Sequence, residues 1–470
     1  MSTTCVHIAA YPYPASGHII PMLDLTHLLL TRGLTVTIFV TPSNIPLLQP
    51  LFSGHPSSLH HFVLPELDIK LPPLTWLFVK ARALRELHFP ILLEWFRSHS
   101  SPPVAIISDF FFGWTNDLAL ELCVPRVVFS PSGAFGLSFS FSLWRDPPKN
   151  DDPEDMNSQF KFPKLPCSPT YPWWQIPEHH RSLKGDPDVE FFRENIMVAN
   201  MMSWGLIFNS FAGLEGVYLE HLKREVGHDR VWAVGPVLPP DHHGAQQESI
   251  VRGGVSSVPC HQVMTWLDSR PDDSVVYVCF GSRTVLRRTE MDLLTSALEQ
   301  SGVGFVFCVR VSSMQDNEPR ESANDGVIPN GFEDRVRGRG FVIRGWAPQV
   351  SILRHRAVGA FLSHCGWNSL LEGIVAGVVM LTWPMDGDQF TNAKLLEEQF
   401  GVAIRTGEGT QIVPQSEELA RLLVASVDGS RPERARAKKL SNEALGAVLK
   451  GGSSYEDLGE LVKLLSDLQK

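Results

Sequence analysis

VGAFLSHCGWNSLLEGIVAG, residues 358–377, spells out a strand, a tight turn and the start of a helix. The apolar run Val358 to Leu362 gives way to small and polar residues, Ser363 to Gly366. Leu370, Leu371 and Ile374 then fall on one side at helical spacing. Such a turn leaves backbone N–H groups and the positive end of a helix dipole facing one point. An anion, most often phosphate, is the natural occupant there. His364, Asn368 and Ser369 can add side-chain donors at the same place. Glu372, one turn on, is placed to accept hydrogen bonds from a ribose, and Trp346, upstream, offers a flat face for a base.

The rest of the chain supplies a frame for that unit. Its 470 residues exceed one ordinary core and imply two domains. With 43% hydrophobic and 20% charged residues, the composition is that of a soluble globular protein. A net charge of −10 argues against a nucleic-acid partner, which needs a basic face, so a phosphate ligand must be held by local donors. Seven cysteines, at 5, 123, 167, 260, 279, 308 and 365, are scattered without CxxC spacing, which predicts neither a disulfide framework nor a zinc site. The opening CVHIAAYPYP carries no signal-peptide pattern, and no apolar run is long enough to span a bilayer. A cytoplasmic monomer is the expectation.

Apolar runs alternate with helical patterns in the first half, the mark of a doubly wound parallel sheet. Strands are predicted at Val6 to Tyr11, Leu34 to Val40, Val104 to Ile107, Arg126 to Phe129, Gly205 to Phe208 and Val231 to Val234, with a helix at Ile19 to Arg32. Asp146 to Pro187 reads as a long Pro-rich connection that holds Trp173, Trp174, His179 and His180. A Pro- and Gly-rich stretch from Pro236 to Ser257 is the best boundary. Beyond it, strands are predicted at Val275 to Phe280, Val303 to Val309, Gly340 to Ile343, Val358 to Leu362 and Val379 to Trp383. Met291 to Gln300 and Glu417 to Val427 are amphipathic helices, and Ser313 to Asn330 a polar loop. The expected division is a first domain over 1–240, a linker over 241–258 and a second domain over 259–454. Two such domains facing each other would bind ligands in a cleft at the carboxyl ends of their strands.

The whole segment from Trp346 to Gln389, WAPQ at its head and Asp388-Gln389 at its end, resembles the signature box of plant secondary-product UDP-dependent glycosyltransferases. The resemblance implies a GT-B fold, α/β with two Rossmann-like domains, whose last helix (455–470 here) packs back on the first. It also implies a UDP-sugar donor, a small-molecule acceptor and no metal. Matched position by position, Trp346 stacks on uracil, with Ala347 and Gln349 at the base edge. Glu372 binds the ribose. His364, Asn368 and Ser369 hold the diphosphate, aided by Ser282, while Trp367, Asp388 and Gln389 contact the sugar and Gly17 joins the donor contacts. Gln389 goes with glucose in the family, and a Gln amide both donates and accepts, which suits neighbouring equatorial hydroxyls. Rhamnose, xylose or galactose are the alternatives.

Sugar transfer needs a base for the acceptor hydroxyl and a carboxylate to hold that base. His18, in PASGHIIPM just past the first strand, is the candidate base; on spacing alone it could equally cap the helix it begins. Asp109, in AIISDFFFGW, is the candidate partner, with an N-cap role as the plain reading and Asp117 as a competitor. The resemblance favours His18 and Asp109 and implies inversion, a β-glycoside from an α-linked donor. Several positions depart from the family pattern: Ser16 for Gln, Cys279 for Ser, Val379 for Pro and Gly387 for Ala. None carries an assigned chemical role. Asp386-x-Asp388 has the form of a metal motif but lies in the sugar-contacting end of the box.

Competing functions fare worse. No GxGxxG follows the first strand and no GxSxG elbow occurs, so neither an NAD enzyme nor an α/β-hydrolase is read. Cys365 beside His364 is poorly placed as a nucleophilic pair. A non-catalytic nucleotide-sugar binder would not need His18 and Asp109. The acceptor is read only as a flat apolar aglycone such as a flavonoid or other phenolic, with terpenoids and acids as alternatives. Phe110, Phe111, Phe135, Phe139, Trp144, Trp173 and Trp174 are candidate pocket residues, each with core or loop packing as the plain reading.

Overall fold

The computed structural model describes residues 6–69, 75–183, 185–238, 256–310 and 325–469. The chain forms two compact units, Met1–Pro240 with Gly446–Lys470, and Asp241–Leu445. Most of the predicted linker, and most of the predicted loop Ser313 to Asn330, lie outside the described residues.

The first unit holds, in chain order, β1 (His7–Tyr11), β2 (Thr35–Val40), β3 (Leu59–Val63), β4 (Ile106–Asp109), β5 (Arg126–Ser130), β6 (Gln159–Lys161), β7 (Thr170–Pro172), β8 (Gly205–Phe208) and β9 (Val231–Ala233). Seven of them make one parallel sheet in the order β3-β2-β1-β4-β5-β8-β9. Strands β1, β4, β5, β8 and β9 are buried along their whole length, as continuous apolar runs covered on both faces should be. From β1 the chain winds outward to β2 and β3, then returns to place β4 on the other side of β1. That reversal leaves a crevice at the carboxyl ends of β1 and β4.

Sequence reading missed β3. Its LHHFV carries two exposed histidines and no apolar run, as an edge strand can. Within the long connection, β6 and β7 form a small antiparallel ribbon. The final helix, Ser453–Asp467, belongs to this unit. There the Asp457 carboxylate accepts from Ala233 N (2.8 Å), Ser454 Oγ donates to Gly235 O, and the Arg32 guanidinium lies 4.3 Å from the Tyr455 ring centre.

The second unit repeats the plan with β10 (Val275–Cys279), β11 (Gly304–Val309), β12 (Gly340–Arg344), β13 (Val358–Ser363), β14 (Val379–Thr382) and β15 (Ala403–Arg405), all parallel, in the order β12-β11-β10-β13-β14-β15. Strand β15, three residues long, was not foreseen. The reversal now falls between β10 and β13. One face of this sheet packs Val276, Val278, Phe305, Phe307, Leu362, Leu381 and Trp383 into an apolar core, each side chain worth about 1.5–3 kcal/mol in burial. Alternation turns Tyr277, Cys279, Cys308 and Phe361 to the other face, where Tyr277 stacks on Phe361 with ring centres 5.1 Å apart. Among the described residues no helix is long and apolar enough to cross a membrane.

Candidate active site

In the first unit, β1 and β4 pair in register, Tyr11 against Ser108. The residues that follow each strand are therefore brought together. His18 enters on the first turn of the helix Ser16–Thr31, whose N-cap is Ala15, so it does not cap that helix. Its Nδ1 lies 2.9 Å from Asp109 Oδ2; the imidazole is 18% exposed and the carboxylate fully buried. Asp109 Oδ1 accepts from Phe111 N at 2.9 Å. The N-cap role and the histidine-partner role are thus both filled, one by each oxygen. Asp117 is exposed and pairs with Arg85, which removes it as a competitor.

Aromatic rings enclose His18. Phe111 stacks on it at 4.9 Å between centres, Phe110 lies parallel at 6.1 Å, and Tyr13 tilts in at 5.2 Å. The wall continues from Phe111 to Phe192 and on to Trp144, with Phe78 and His179 packed against it. Burial holds the His179 imidazole down to about 4 and that of His180 to about 3, so both are neutral at pH 7. The other candidate aromatics divide. Phe135 is stacked on Tyr218, Phe139 is packed against Phe162 and Tyr171, and Trp173 is buried against Phe160; these are core residues.

In the second unit, the turn from β13 into the helix Trp367–Ala376 passes through Cys365 at φ +64, a left-handed conformation unusual for a residue with a side chain. Asn392 Nδ2 donates to Cys365 O (3.0 Å), and Cys365 N donates to Ser363 Oγ (3.1 Å). Asn392 Nδ2 also reaches Asp388 Oδ2 (3.2 Å), so Asp388 is tied to the same turn. The helix N-cap is Gly366, which has no side-chain oxygen to spend on the first N–H groups. The His364 ring lies over Gly281 and Gly366: a Cβ at either would come within 2.5 Å of its Nε2. Burial holds this imidazole down to about 4, and its Nδ1 has no partner among the described residues. Ser282, next to Gly281, is exposed.

Gln349 connects the predicted base and ribose residues. Its amide nitrogen donates to Glu372 Oε2 (2.6 Å) and Ser369 Oγ (3.0 Å), and its carbonyl accepts from Tyr277 OH (3.1 Å). Ser369 therefore groups with Gln349 and Glu372. Trp346 is half-buried; its carbonyl accepts from Ser257 N, and the preceding Gly345 carbonyl accepts from Cys308 Sγ at 3.2 Å. Cys308 thus anchors the backbone just ahead of Trp346, and Ala347 is buried. Trp367 is 4% exposed, so its indole packs in the protein. Trp383 is fully buried in the core. Gln389 differs from expectation: its carbonyl accepts from Met385 N (2.8 Å) and Asp386 N (3.1 Å), which leaves the NH₂ group as the part turned to other work. Gly17 is exposed, with no atom within 4 Å of where a Cβ would stand. Among the described residues no three His, Cys, Asp or Glu side chains gather as a metal cage.

A histidine held by a buried carboxylate stands at one sheet reversal, and a glycine-lined helix start stands at the other. Residues 255–411 match the family model described as UDP-glucoronosyl and UDP-glucosyl transferase. The chain is 49% identical to UDP-glycosyltransferase 89B2 of Stevia rebaudiana across 98% of both chains. It is 47% identical to flavonol 3-O-glucosyltransferase UGT89B1 of Arabidopsis thaliana across 98% of this chain and 96% of that one. The crystal structure of Arabidopsis thaliana UGT89C1 complexed with UDP-L-rhamnose is 37% identical. It covers 99% of this chain and 100% of that one, with a TM-score of 0.78. The chain belongs to the plant secondary-product UDP-dependent glycosyltransferases, on the GT-B fold, and is a UDP-glycosyltransferase.

Sequence reading did not single out Arg126, Asn200, Tyr277, Asn392 or Phe192. Their partners lie far away along the chain, 90 residues between Asn200 and Phe110. One signal was present: Arg126 heads an apolar strand, where a cation needs a buried partner.

Proposed function

We propose that this enzyme transfers glucose from UDP-glucose to a hydroxyl of a flavonoid or other phenolic, with inversion at the anomeric carbon. The observation that carries the reading is the 2.9 Å contact of His18 Nδ1 with the fully buried Asp109. Asp109 accepts a hydrogen bond from Nδ1–H, so Nε2 keeps the lone pair that removes the acceptor's proton. The acceptor oxygen then bonds to the anomeric carbon while the bond to UDP breaks, and UDP leaves with the electron pair. As His18 becomes an imidazolium, Asp109 stabilises it. The aromatic wall around Phe111, Phe192 and Trp144 suits a flat aglycone.

On the donor side, Trp346, Ala347 and Gln349 receive uracil, Glu372 with Ser369 the ribose, and His364, Asn368 and Ser282 the diphosphate, where helix-start N–H groups meet the growing charge. Asp388, the Gln389 NH₂ group and the Trp367 backbone N–H hold the sugar, since the Trp367 indole packs in the protein, and Gly17 is read as a further donor contact. Residues 1–240, with the final helix, form the acceptor domain in this reading and 259–454 the donor domain, in a cytoplasmic monomer. Glucose rests on Gln389 and on the similarity to the flavonol 3-O-glucosyltransferase UGT89B1; the UDP-L-rhamnose held by UGT89C1 makes rhamnose the second reading.

A panel of UDP-sugars against phenols, acids and terpenoids tests this, with UDP release and product mass as readouts. UDP-glucose with a flavonol is expected to give a β-glucoside, read from the anomeric proton coupling. Turnover of UDP-rhamnose alone would replace the donor assignment, and an α-glucoside from UDP-glucose would overturn the mechanism.

A further inference from the structure

Beneath the His18–Asp109 pair lies a cation that the proposed mechanism does not use. Arg126 opens β5, is 1% exposed, and stands beside β4, Ile106 against Arg126. A guanidinium out of water costs several kcal/mol unless its charge and N–H groups are met. Its Nε donates to Ser108 Oγ and Thr115 Oγ1, both at 2.8 Å, and its Nη2 to Asn200 Oδ1 at 2.9 Å, with a longer 3.5 Å approach to Asp109 O. Nη1 has no partner among the described residues. Burial pulls the guanidinium down to about 9, while Asp109 and Asp117 pull it back. Since Asp117 is exposed and paired with Arg85, the buried counter-charge is Asp109.

The same cluster clamps the turn that carries Asp109. Asn200 Nδ2 donates to Phe110 O at 2.8 Å, and Thr115 Oγ1 to Phe112 O at 2.6 Å. With Arg126 at Asp109 O, three carbonyls of the segment 109–112 are held from one side. Gly113 then packs so closely on Ile196 that a Cβ would stand 2.4 Å from its Cα. Asn200 stands two residues past a π-helical turn, Arg193–Val198, a local distortion that tends to mark functional sites.

We infer that Arg126 is a positioning residue for the glycosyl transfer: through Asn200, Ser108 and Thr115 it fixes the Asp109 turn, and its buried charge is the counter-charge to the Asp109 carboxylate that holds His18. The inference rests on the reading of His18 and Asp109 as base and partner.

The test is a double-mutant cycle on the full-length enzyme with UDP-glucose and its best phenol. His18→Ala and Asp109→Asn come first; if both keep wild-type turnover, the underlying reading fails whatever Arg126 does. Given their loss of activity, Arg126→Gln is expected to lower kcat roughly tenfold or more with the donor KM and the calorimetric affinity for UDP unchanged. In the Asp109→Asn background the same change should cost less than about twofold, because the group it acts through is already neutral. Arg126→Lys, which keeps the charge, should recover part of the loss. Equal factors in both backgrounds, or lower thermal stability with kcat unaltered, overturn the inference. Should Arg126→Gln not fold, Asn200→Ala takes its place in the cycle: it leaves the cation and removes the clamp, with the same dependence on Asp109 expected and the same equality fatal.

Discussion

The two units solve the same topological problem and put opposite kinds of histidine at the solution. Each sheet reverses its winding once, between β1 and β4 in the first and between β10 and β13 in the second. Each reversal exposes loop residues at the carboxyl ends of two neighbouring strands, and each offers a histidine there. His18 has a buried carboxylate on Nδ1 and an open edge. His364 has no partner on Nδ1 among the described residues, lies against two glycines, and is held neutral by burial. A carboxylate makes an imidazole a better proton acceptor, whereas desolvation makes it a poor one. The fold supplies the position, and the neighbour differs: Asp109 lies at Nδ1 of His18, whereas Gly281 lies against the His364 ring.

The largest expected effect breaks the contrast at its source. Asp109→Asn leaves an amide where Nδ1–H needs an acceptor and invites the wrong tautomer, so kcat should fall on the order of a thousandfold or more, with UDP affinity by calorimetry unchanged. His18→Ala removes the base through which Asp109 acts and should cost at least as much in kcat. If instead His364→Ala produced the larger loss in kcat, the roles assigned to the two histidines would have to be exchanged.

Next in size is the donor side. His364→Ala removes one neutral donor to a charged ligand, worth about 1.5–3 kcal/mol, so UDP should bind roughly tenfold to a hundredfold more weakly while the pH dependence of kcat keeps its shape. Gly281→Ala should weaken UDP binding as well, because its φ of +78 and the His364 ring 2.5 Å from any Cβ leave no room. This second change must also lower the melting temperature, since a side chain in the left-handed region costs about 1–2 kcal/mol.

These contrasts were only partly legible in the sequence. The strand–turn–helix at 358–377, and His18 and Asp109 in their motifs, are local patterns, so order along the chain reveals them. Clamps such as Asn200 on Phe110 and Asn392 on Cys365 join residues that only the folded sheet brings near. The aromatics show the same limit: Phe111 and Phe135 are alike in composition, yet one faces His18 and the other stacks on buried Tyr218. Gln389 read as a donor and acceptor because its chemistry allows both; the turn at Met385 and Asp386 takes the acceptor.

A smaller effect separates the units by pH. His179 and His180 in the first unit, like His364 in the second, are neutral when folded, at about 4, 3 and 4 against 6.5 unfolded. Between those values the unfolded chain binds more protons, so stability falls as pH drops from 6.5 towards 4, each imidazole adding up to about 1.4 kcal/mol per pH unit. Denaturant midpoints measured across that window should show a shallower fall in His179→Asn/His180→Asn than in the wild type. An unchanged slope would mean these rings are already charged in the folded protein.

The smallest effect bears most directly on what a glycine at each reversal is for. Gly281 is required by the protein itself, through its backbone angle and the ring above it. Gly17 is not: its backbone is helical, it is exposed, and a Cβ would meet nothing within 4 Å. Replacing it with alanine should therefore hold or slightly raise the melting temperature, because alanine loses less backbone freedom on folding, about 0.5–1 kcal/mol in a helix. If the space beside His18 belongs to the donor, Gly17→Ala should nevertheless raise the KM for UDP-sugar several-fold, about 1 kcal/mol of lost fit. Stability up and donor affinity down in one variant would assign that glycine to the ligand. A lowered melting temperature would return it to the fold and leave only the second unit with donor contacts.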